Sequence, residues 1–376
     1  MKFNYYLPIN LLFGAGRVGE LGEEVSKYGK KALLVTGRNS TKKTGLLNRA
    51  IKLLEAADVE VVVFDQVSQN PLKSTVLEGV SVAKAEDCDV VVGLGGGSIM
   101  DASKAIAFMA KNEGELFDYI YGKKTSDVAL PIVLVPTTCG TGSEGNCFAV
   151  VTDDETKDKK SLRCNAIVAK ASIIDPELMM TMPKSILASV GFDALCHNME
   201  AYLSKNAQPM TTMMAIEGMK LLGHYLVAVY NNPEDKEAFE AVTWASTLGG
   251  IVINTAGVTA AHGMEHPASG LKDIVHGKGL AALTPIIYEA SIKTAPEKFA
   301  MISRQLGGQD EMDCVLQIRN LLKALDLETT LGAQGIEEKD IDWMAENCLK
   351  VSAVSMAIHP KQFTLEEIKD LYRKAL

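Results

Sequence analysis

Residues 87–108 read DCDVVVGLGGGSIMDASKAIAF: an apolar run, a turn of glycines, then a helical pattern. The valines at 90–92 suit a strand buried on both faces, as in a parallel sheet. Gly95, Gly96 and Gly97 weaken a turn entropically, so three in succession make sense where another group must approach the backbone closely. Ser98 is expected to cap an amphipathic helix whose first turn holds Asp101. Strand, bare turn and helix N-terminus together aim N–H groups and the positive end of a helix dipole at one point, which suits a phosphate.

Outward from this stretch, ALLVTG (32–37), VEVVVF (59–64) and LPIVLVPTT (130–138) alternate with helical patterns, the rhythm of a parallel α/β sheet. FGAGRVGEL (13–21) contains a literal Gly-x-Gly-x-x-Gly. Its only strand candidate, INLLF (9–13), lies behind a proline at the edge of the chain, whereas a Rossmann glycine loop follows a central strand, so it reads as an ordinary strand-to-helix turn. VPTTCGTGSE (135–144) offers the hydroxyls of Thr137, Thr138, Thr141 and Ser143 among glycines, a composition suited to ribose and phosphate.

After Asp175-Pro176 the pattern changes to long 3.6-periodic runs such as residues 211–230 and 312–326. The expected organisation is a dinucleotide-binding α/β domain over residues 1–181 and an all-helical domain over 182–376, with the boundary at Met182-Pro183. The net charge of −9 and the scattered, short basic pairs argue against nucleic acid as a partner. No apolar run approaches ~18 residues, so no membrane span is expected. The first residues lack signal-peptide features. Seven dispersed cysteines without a Cys-x-x-Cys pair read as free thiols of a reducing cytoplasm.

All six histidines fall in the helical half. GFDALCHNMEAY (191–202) places Asp193 and His197 four apart on one helical face, and residues 260–277 supply His262, His266 and His276. Three imidazoles and a carboxylate suit Fe²⁺ or Zn²⁺. A zinc-protease helix is disfavoured because Gly263, not glutamate, follows His262. His224 and His359 read as surface or packing residues.

Taken in order, FGAGRVGEL, GGGSIMDASKAIA, PTTCGTGSE, DPELMMTMP, GFDALCHNMEAY, HGMEHPASGLKDIVHG and HPKQFTLEEIKDLYRKAL resemble the iron-activated (group III) metal-dependent alcohol dehydrogenases over nearly the whole chain. The resemblance implies a metal in a cleft between the two domains, with Asp193, His197, His262 and His276 as ligands and His266 beside the substrate. It implies Gly95, Gly96, Gly97 and Ser98, with Asp101, at the pyrophosphate. Asn70, Thr137, Thr138, Thr141, Val150 and Lys159 fall around ribose and nicotinamide, with Asn146 at the same edge. Cys139, Gly145-Asn146 and the bulky Glu265 depart from the usual pattern, and Glu265 is expected to alter the substrate pocket or the proton path. The implied reaction passes a hydride between NAD(P)(H) and a small alcohol or aldehyde, in a homodimer or larger homo-oligomer; a dehydroquinate-synthase-like or glycerol-dehydrogenase-like enzyme is the alternative.

The cofactor's adenosine end falls on VTGRNSTKKTG (35–45). Where NAD-preferring folds carry an acid for the ribose hydroxyls, this chain has Gly37, followed by Arg38, Asn39, Ser40, Lys42 and Lys43. This predicts NADP(H) preference and, with it, aldehyde reduction as the working direction.

Overall fold

The computed structural model describes residues 2–376. Six parallel strands build the N-terminal sheet: β1 (Asn10–Phe13), β2 (Lys31–Gly37), β3 (Glu60–Val67), β4 (Val90–Gly95), β5 (Ile132–Pro136) and, after a separate hairpin of β6 (Phe148–Thr152) and β7 (Lys159–Arg163), β8 (Ala171–Ile174). The spatial order is β1-β8-β5-β4-β2-β3. Every residue of β4 and β5 is buried, as expected of strands covered on both faces. The chain leaves β2 outward to β3 and returns to the other side of β2 as β4. The crevice beyond the carboxyl ends of β2 and β4 is therefore a topological switch point, where open α/β sheets bind ligands.

Two local expectations need correction. The helix after β4 spans Gly97–Met109 with Gly96 as its cap and no side-chain capping bond, so Ser98 lies inside the first turn. Nor is that helix amphipathic. From Met100 to Met109 every residue is buried, because the sheet packs on one side and the β6–β7 hairpin stands on the other. The hairpin itself has no clear signal in the sequence, since the β7 segment KKSLR is polar. The Gly-x-Gly-x-x-Gly segment follows β1 at the sheet edge, and the N–H groups of Gly16 and Val18 donate to the Asp175 carboxylate at 3.1 and 3.2 Å. Its donors are already used.

From residue 184 onward the described structure is helical. The helix Lys184–Leu203 starts directly after Pro183 and packs with Pro209–Asn231 and Lys236–Ala256. Phe192, Tyr288, Phe299 and Tyr372 are fully buried in this core. At Gly257 (φ +72°) the chain bends by 101° into Ala260–Lys272, which turns His262 and His266 back toward the sheet. The halves meet closely at Gly142, whose φ is +56° and where an added Cβ would lie 2.4 Å from the Gly250 nitrogen. No single helix among the described residues is long and apolar enough to cross a membrane.

Candidate active site

A cleft of about 130 Å³ runs between the glycine turn after β4, one face of the hairpin, and the histidine-bearing helices. Asp193 and His197 share a face of Lys184–Leu203, His262 sits in the first turn after the bend, and His276 opens the next helix. Their donor atoms converge on one point. From Asp193 Oδ1 the distances are 3.2 Å to His262 Nε2, 3.6 Å to His276 Nε2 and 3.7 Å to His197 Nε2. Four tetrahedral donors at ~2.1 Å from one ion stand roughly 3.4 Å apart. Asp193, His262 and His276 offer atoms all within 4.8 Å of one another and fit a divalent transition metal, while His197 stands outside that tight set with its Nε2 3.7 Å from Asp193 Oδ1.

Each imidazole is held from behind. Glu200 Oε2 contacts His262 Nδ1, Glu265 Oε2 contacts His276 Nδ1, and the Gly140 carbonyl lies 3.3 Å from His197 Nδ1. Such partners fix which ring nitrogen faces the metal position. The electrostatics agree. Burial opposes ionisation of Asp193, but His197, His276 and His262 hold its carboxyl well below the usual range. Burial brings His197 down to about 4. His262 lies between two carboxylates, and although burial disfavours its charge, Glu200 and Asp193 raise it to about 10. Asp193, Glu200 and Glu265 gather negative charge around these imidazoles, which favours a cation at the centre.

His266 is half-buried on the cleft wall, its ring centroid 6.2 Å from that of His262 and 5.9 Å from that of His276. Burial depresses it well below its ordinary value, with Lys159 and His276 adding to the effect, so its imidazole is neutral.

Glu265 does not line the cleft. It is fully buried behind His276, 3.2 Å from Ser269 Oγ and 3.7 Å from Lys159 Nζ. The expectation that it shapes the substrate pocket is thereby corrected: its neighbours are side chains that orient the site.

On the opposite wall, Asn70, Gly97, Ser98, Asp101, Thr141, Asn146, Val150 and Lys159 all line the cleft. A Cβ on Gly97 would lie 2.2 Å from Thr141 Cγ2, so the two loops touch only because the turn is bare. Gly95 and Gly96 lie behind this contact, Thr138 packs on Gly96, and Thr137 is half-buried at the end of β5. Several polar groups expected to face ribose or phosphate are bound within the protein. Ser143 Oγ donates to Asp101 Oδ1 at 2.6 Å, Asp101 Oδ2 accepts from Val150 N at 3.1 Å, and Asn146 Oδ1 accepts from Phe148 N at 2.9 Å. Lys159 Nζ donates to Asn70 Oδ1 at 2.9 Å and Ser269 Oγ at 2.7 Å. Asn70 Nδ2 in turn donates to Asp273 Oδ1 at 2.7 Å, which ties the two walls together.

The sequence reading missed Lys104, fully buried in the Gly97–Met109 helix. Its ammonium donates to the carbonyls of Ser143, Asn146 and Phe148 at 2.5, 3.0 and 2.8 Å, staking down the loop before β6. Burial, partly offset by Asp101, brings it down to about 8. A signal for it existed, since Asp101 and Lys104 stand three apart in an otherwise apolar helix. Glu200 was also legible in principle, seven residues after Asp193 and hence on the same face.

At the far end of the crevice, Gly37, Asn39 and Ser40 lie where β2 ends and a short helix, Ser40–Lys43, begins. The positive cluster expected there is incomplete. Lys42 pairs with Asp65 of β3, and Arg38 Nε is 3.4 Å from the Gln66 carbonyl.

Comparison with known proteins decides what this cleft belongs to. Residues 8–176 match the family model for iron-containing alcohol dehydrogenases, and residues 187–376 match the model for the C-terminal part of the same family. The chain belongs to the iron-containing alcohol dehydrogenase family. Its reaction class follows: hydride transfer between a nicotinamide dinucleotide and a small alcohol or aldehyde, with the dehydroquinate-synthase-like and glycerol-dehydrogenase-like alternatives not favoured. Among relatives in this family, a choline dehydrogenase of Bacillus subtilis is 38% identical, covering 93% of this chain and 90% of its own. An NAD-dependent methanol dehydrogenase of Bacillus methanolicus is 32% identical, covering 99% and 100%. The crystal structure of an archaeal halo-thermophilic alcohol dehydrogenase from a Red Sea brine pool, ADH/D1, superposes with a TM-score of 0.96 at 34% identity, covering 100% and 99%.

Proposed function

We propose that this iron-type dehydrogenase binds one Fe²⁺ or Zn²⁺ through Asp193, His197, His262 and His276, and reduces small aldehydes with NADPH in preference to NADH. The observation that carries the reading is the convergence of three imidazole nitrogens on Asp193 Oδ1 at the floor of the cleft. When bound, the cation supplies Lewis acidity toward the alcohol or carbonyl oxygen and the nicotinamide supplies or accepts the hydride. The balance is aldehyde + NAD(P)H + H⁺ ⇌ alcohol + NAD(P)⁺.

The chain's own residues do the rest. Gly95, Gly96, Gly97 and Ser98 let the backbone approach the pyrophosphate. Thr137, Thr138, Thr141, Asn146, Val150, Lys159 and Asn70 shape the ribose and nicotinamide end, with Asp101 and Lys104 holding the loop that carries them. Glu200 and Glu265 orient two of the ligand imidazoles. His266, neutral and facing the cleft without a hydrogen-bonding partner among the described residues, is suited to hand the required proton to the product oxygen.

NADP(H) preference rests on Gly37 and on Arg38, Asn39, Ser40 and Lys43, which offer donors without an acid at the ribose position; Asp65 on Lys42 weakens this charge. We place the domain division at 181/182, read the enzyme as a homodimer or larger assembly on its family resemblance, and take its seven free thiols as consistent with the cytoplasm. Absorbance at 340 nm with NADPH and NADH against a panel of aldehydes, on metal-loaded protein, tests the reading. Silence with every aldehyde would refute it, and a kcat/KM favouring NADH would refute the cofactor preference.

A further inference from the structure

The β6–β7 hairpin turns one face to the cleft. Along β7, Lys159, Ser161 and Arg163 alternate onto that face, and all three line it. Lys159 is bound among Asn70, Ser269 and Glu265. Arg163 stands four residues further on, roughly 13 Å along the strand at about 3.3 Å per residue. Its guanidinium stacks 4.3 Å from the ring centroid of Phe148, the residue paired with it across the hairpin.

Arg163, Phe148 and Ile253 also line a second, larger cavity of about 550 Å³. They are thus the wall shared by the histidine-floored cleft and the space outside it. The other charges of the cleft have partners: Asp101 is bonded to Ser143 and Val150, Asp193 faces three histidines, and Lys159 is held as described. Arg163 has no hydrogen bond or ion pair to a protein carboxylate among the described residues. Arg163 is exposed at the mouth of the cleft, where water still reaches its guanidinium, and Cys147 is the one neighbour that favours its charge. A guanidinium stays charged even so, and its planar fork matches a carboxylate. In the outer cavity the other charged side chains, Lys124 and Asp127, are exposed like Arg163 but of opposite sign to each other, so Arg163 is the charge that lines both spaces.

Resting on the dehydrogenase reading above, we propose that Arg163, braced by Phe148, anchors an anionic group on the substrate, so that the preferred substrates are short aldehydes or alcohols bearing a carboxylate at the end remote from the reacting carbon. The same cation repels a quaternary ammonium. This chain is therefore expected to reject choline and its aldehyde despite 38% identity to a choline dehydrogenase.

The test compares kcat/KM of metal-loaded protein for 4-oxobutanoate, butanal and betaine aldehyde, together with calorimetric binding of succinate. The wild type is expected to prefer 4-oxobutanoate over butanal by about 10- to 100-fold, the range of a charge-assisted contact, with betaine aldehyde poorest. Arg163→Met should collapse that ratio toward one and weaken succinate by about tenfold or more, while Arg163→Lys keeps part of both. A preference of the same size for a phosphonate analogue of equal length would assign the anion as phosphoryl and keep Arg163 as its anchor. Three results would overturn the proposal: a wild type that prefers butanal or betaine aldehyde, a variant that slows every substrate in equal proportion, or one that raises only the KM of the cofactor. If no aldehyde is turned over, the dehydrogenase reading fails instead, and unchanged succinate binding in Arg163→Met still decides against Arg163.

Discussion

The two ends of the cleft are built differently. At the histidine end each of the three imidazoles is braced from behind by Glu200, Glu265 or the Gly140 carbonyl, and three of the four proposed ligand side chains are buried. At the end proposed for the adenosine, Gly37 is buried but Arg38, Asn39 and Ser40 are exposed, and Lys42 is neutralised by Asp65. A preformed centre leaves little freedom in what it binds, whereas an exposed corner takes its specificity from the balance of a few charges. Substitutions at the first end should therefore act in large steps and those at the second in small ones.

The largest effect short of removing a ligand is expected from His266→Ala: a fall in kcat of about 10²-fold or more with metal content unchanged, partly restored by added imidazole. Metal loss in that variant would make His266 part of the centre, and unchanged kinetics would return it to packing. Glu200→Gln keeps the shape of the side chain but removes the charge behind His262. Metal affinity should fall by about 10- to 100-fold, read by competition with a chelator; an unaltered affinity would mean that the ligands need no bracing.

At the adenosine end Gly37→Asp should move the NADPH/NADH ratio of kcat/KM toward NADH by roughly tenfold, through repulsion of a 2′-phosphate. The site has room, since an added Cβ would meet the Val67 carbonyl at 3.5 Å and Ile99 Cδ1 at 3.7 Å, and φ is not positive. A shift of the same size in metal affinity would erase the distinction between the two ends.

The smallest effect concerns the hairpin that walls the cleft. Asp158 accepts from Asn347 and Lys350 at 2.7 Å each and from Tyr121, fastening the hairpin turn to the helical half. Burial opposes its charge, yet Lys350, Tyr121 and Asn347 hold its carboxyl below the usual range. A depressed carboxylate stabilises the fold above its ordinary pKa, and that contribution is lost as pH falls through the folded value. Asp158→Asn should thus lower Tm by a few degrees at neutral pH, and the gap to wild type should close below about pH 4. A gap independent of pH would show that packing, not charge, makes this tie.

Legibility in the sequence follows the same division. The glycine turn at 95–97 and the histidine groups could be read because strand, turn and helix patterns are local, and because i, i+4 spacing places side chains on one face. Context also separated the two glycine turns: the one at 14–19 follows an edge strand and gives its N–H groups to Asp175, 157 and 159 residues away in sequence from Val18 and Gly16. What escaped were long-range arrangements with no local pattern. Glu265 stands behind His276 through a turn between helices, Lys104 reaches loop carbonyls about 40 residues on, and the β7 segment KKSLR hides a strand in polar residues. The amphipathic reading of residues 97–109 failed because the hairpin that covers the second face of that helix was itself unforeseen.

Turnover is expected to depend on one divalent metal held by Asp193, His197, His262 and His276. Elemental analysis of the purified wild type beside His276→Ala, with circular dichroism to show that both are folded, tests it most directly. The wild type should carry about one Fe²⁺ or Zn²⁺ per chain, and the folded variant should lose metal and activity together. Full metal occupancy in His276→Ala, or an active wild type without metal, would contradict it.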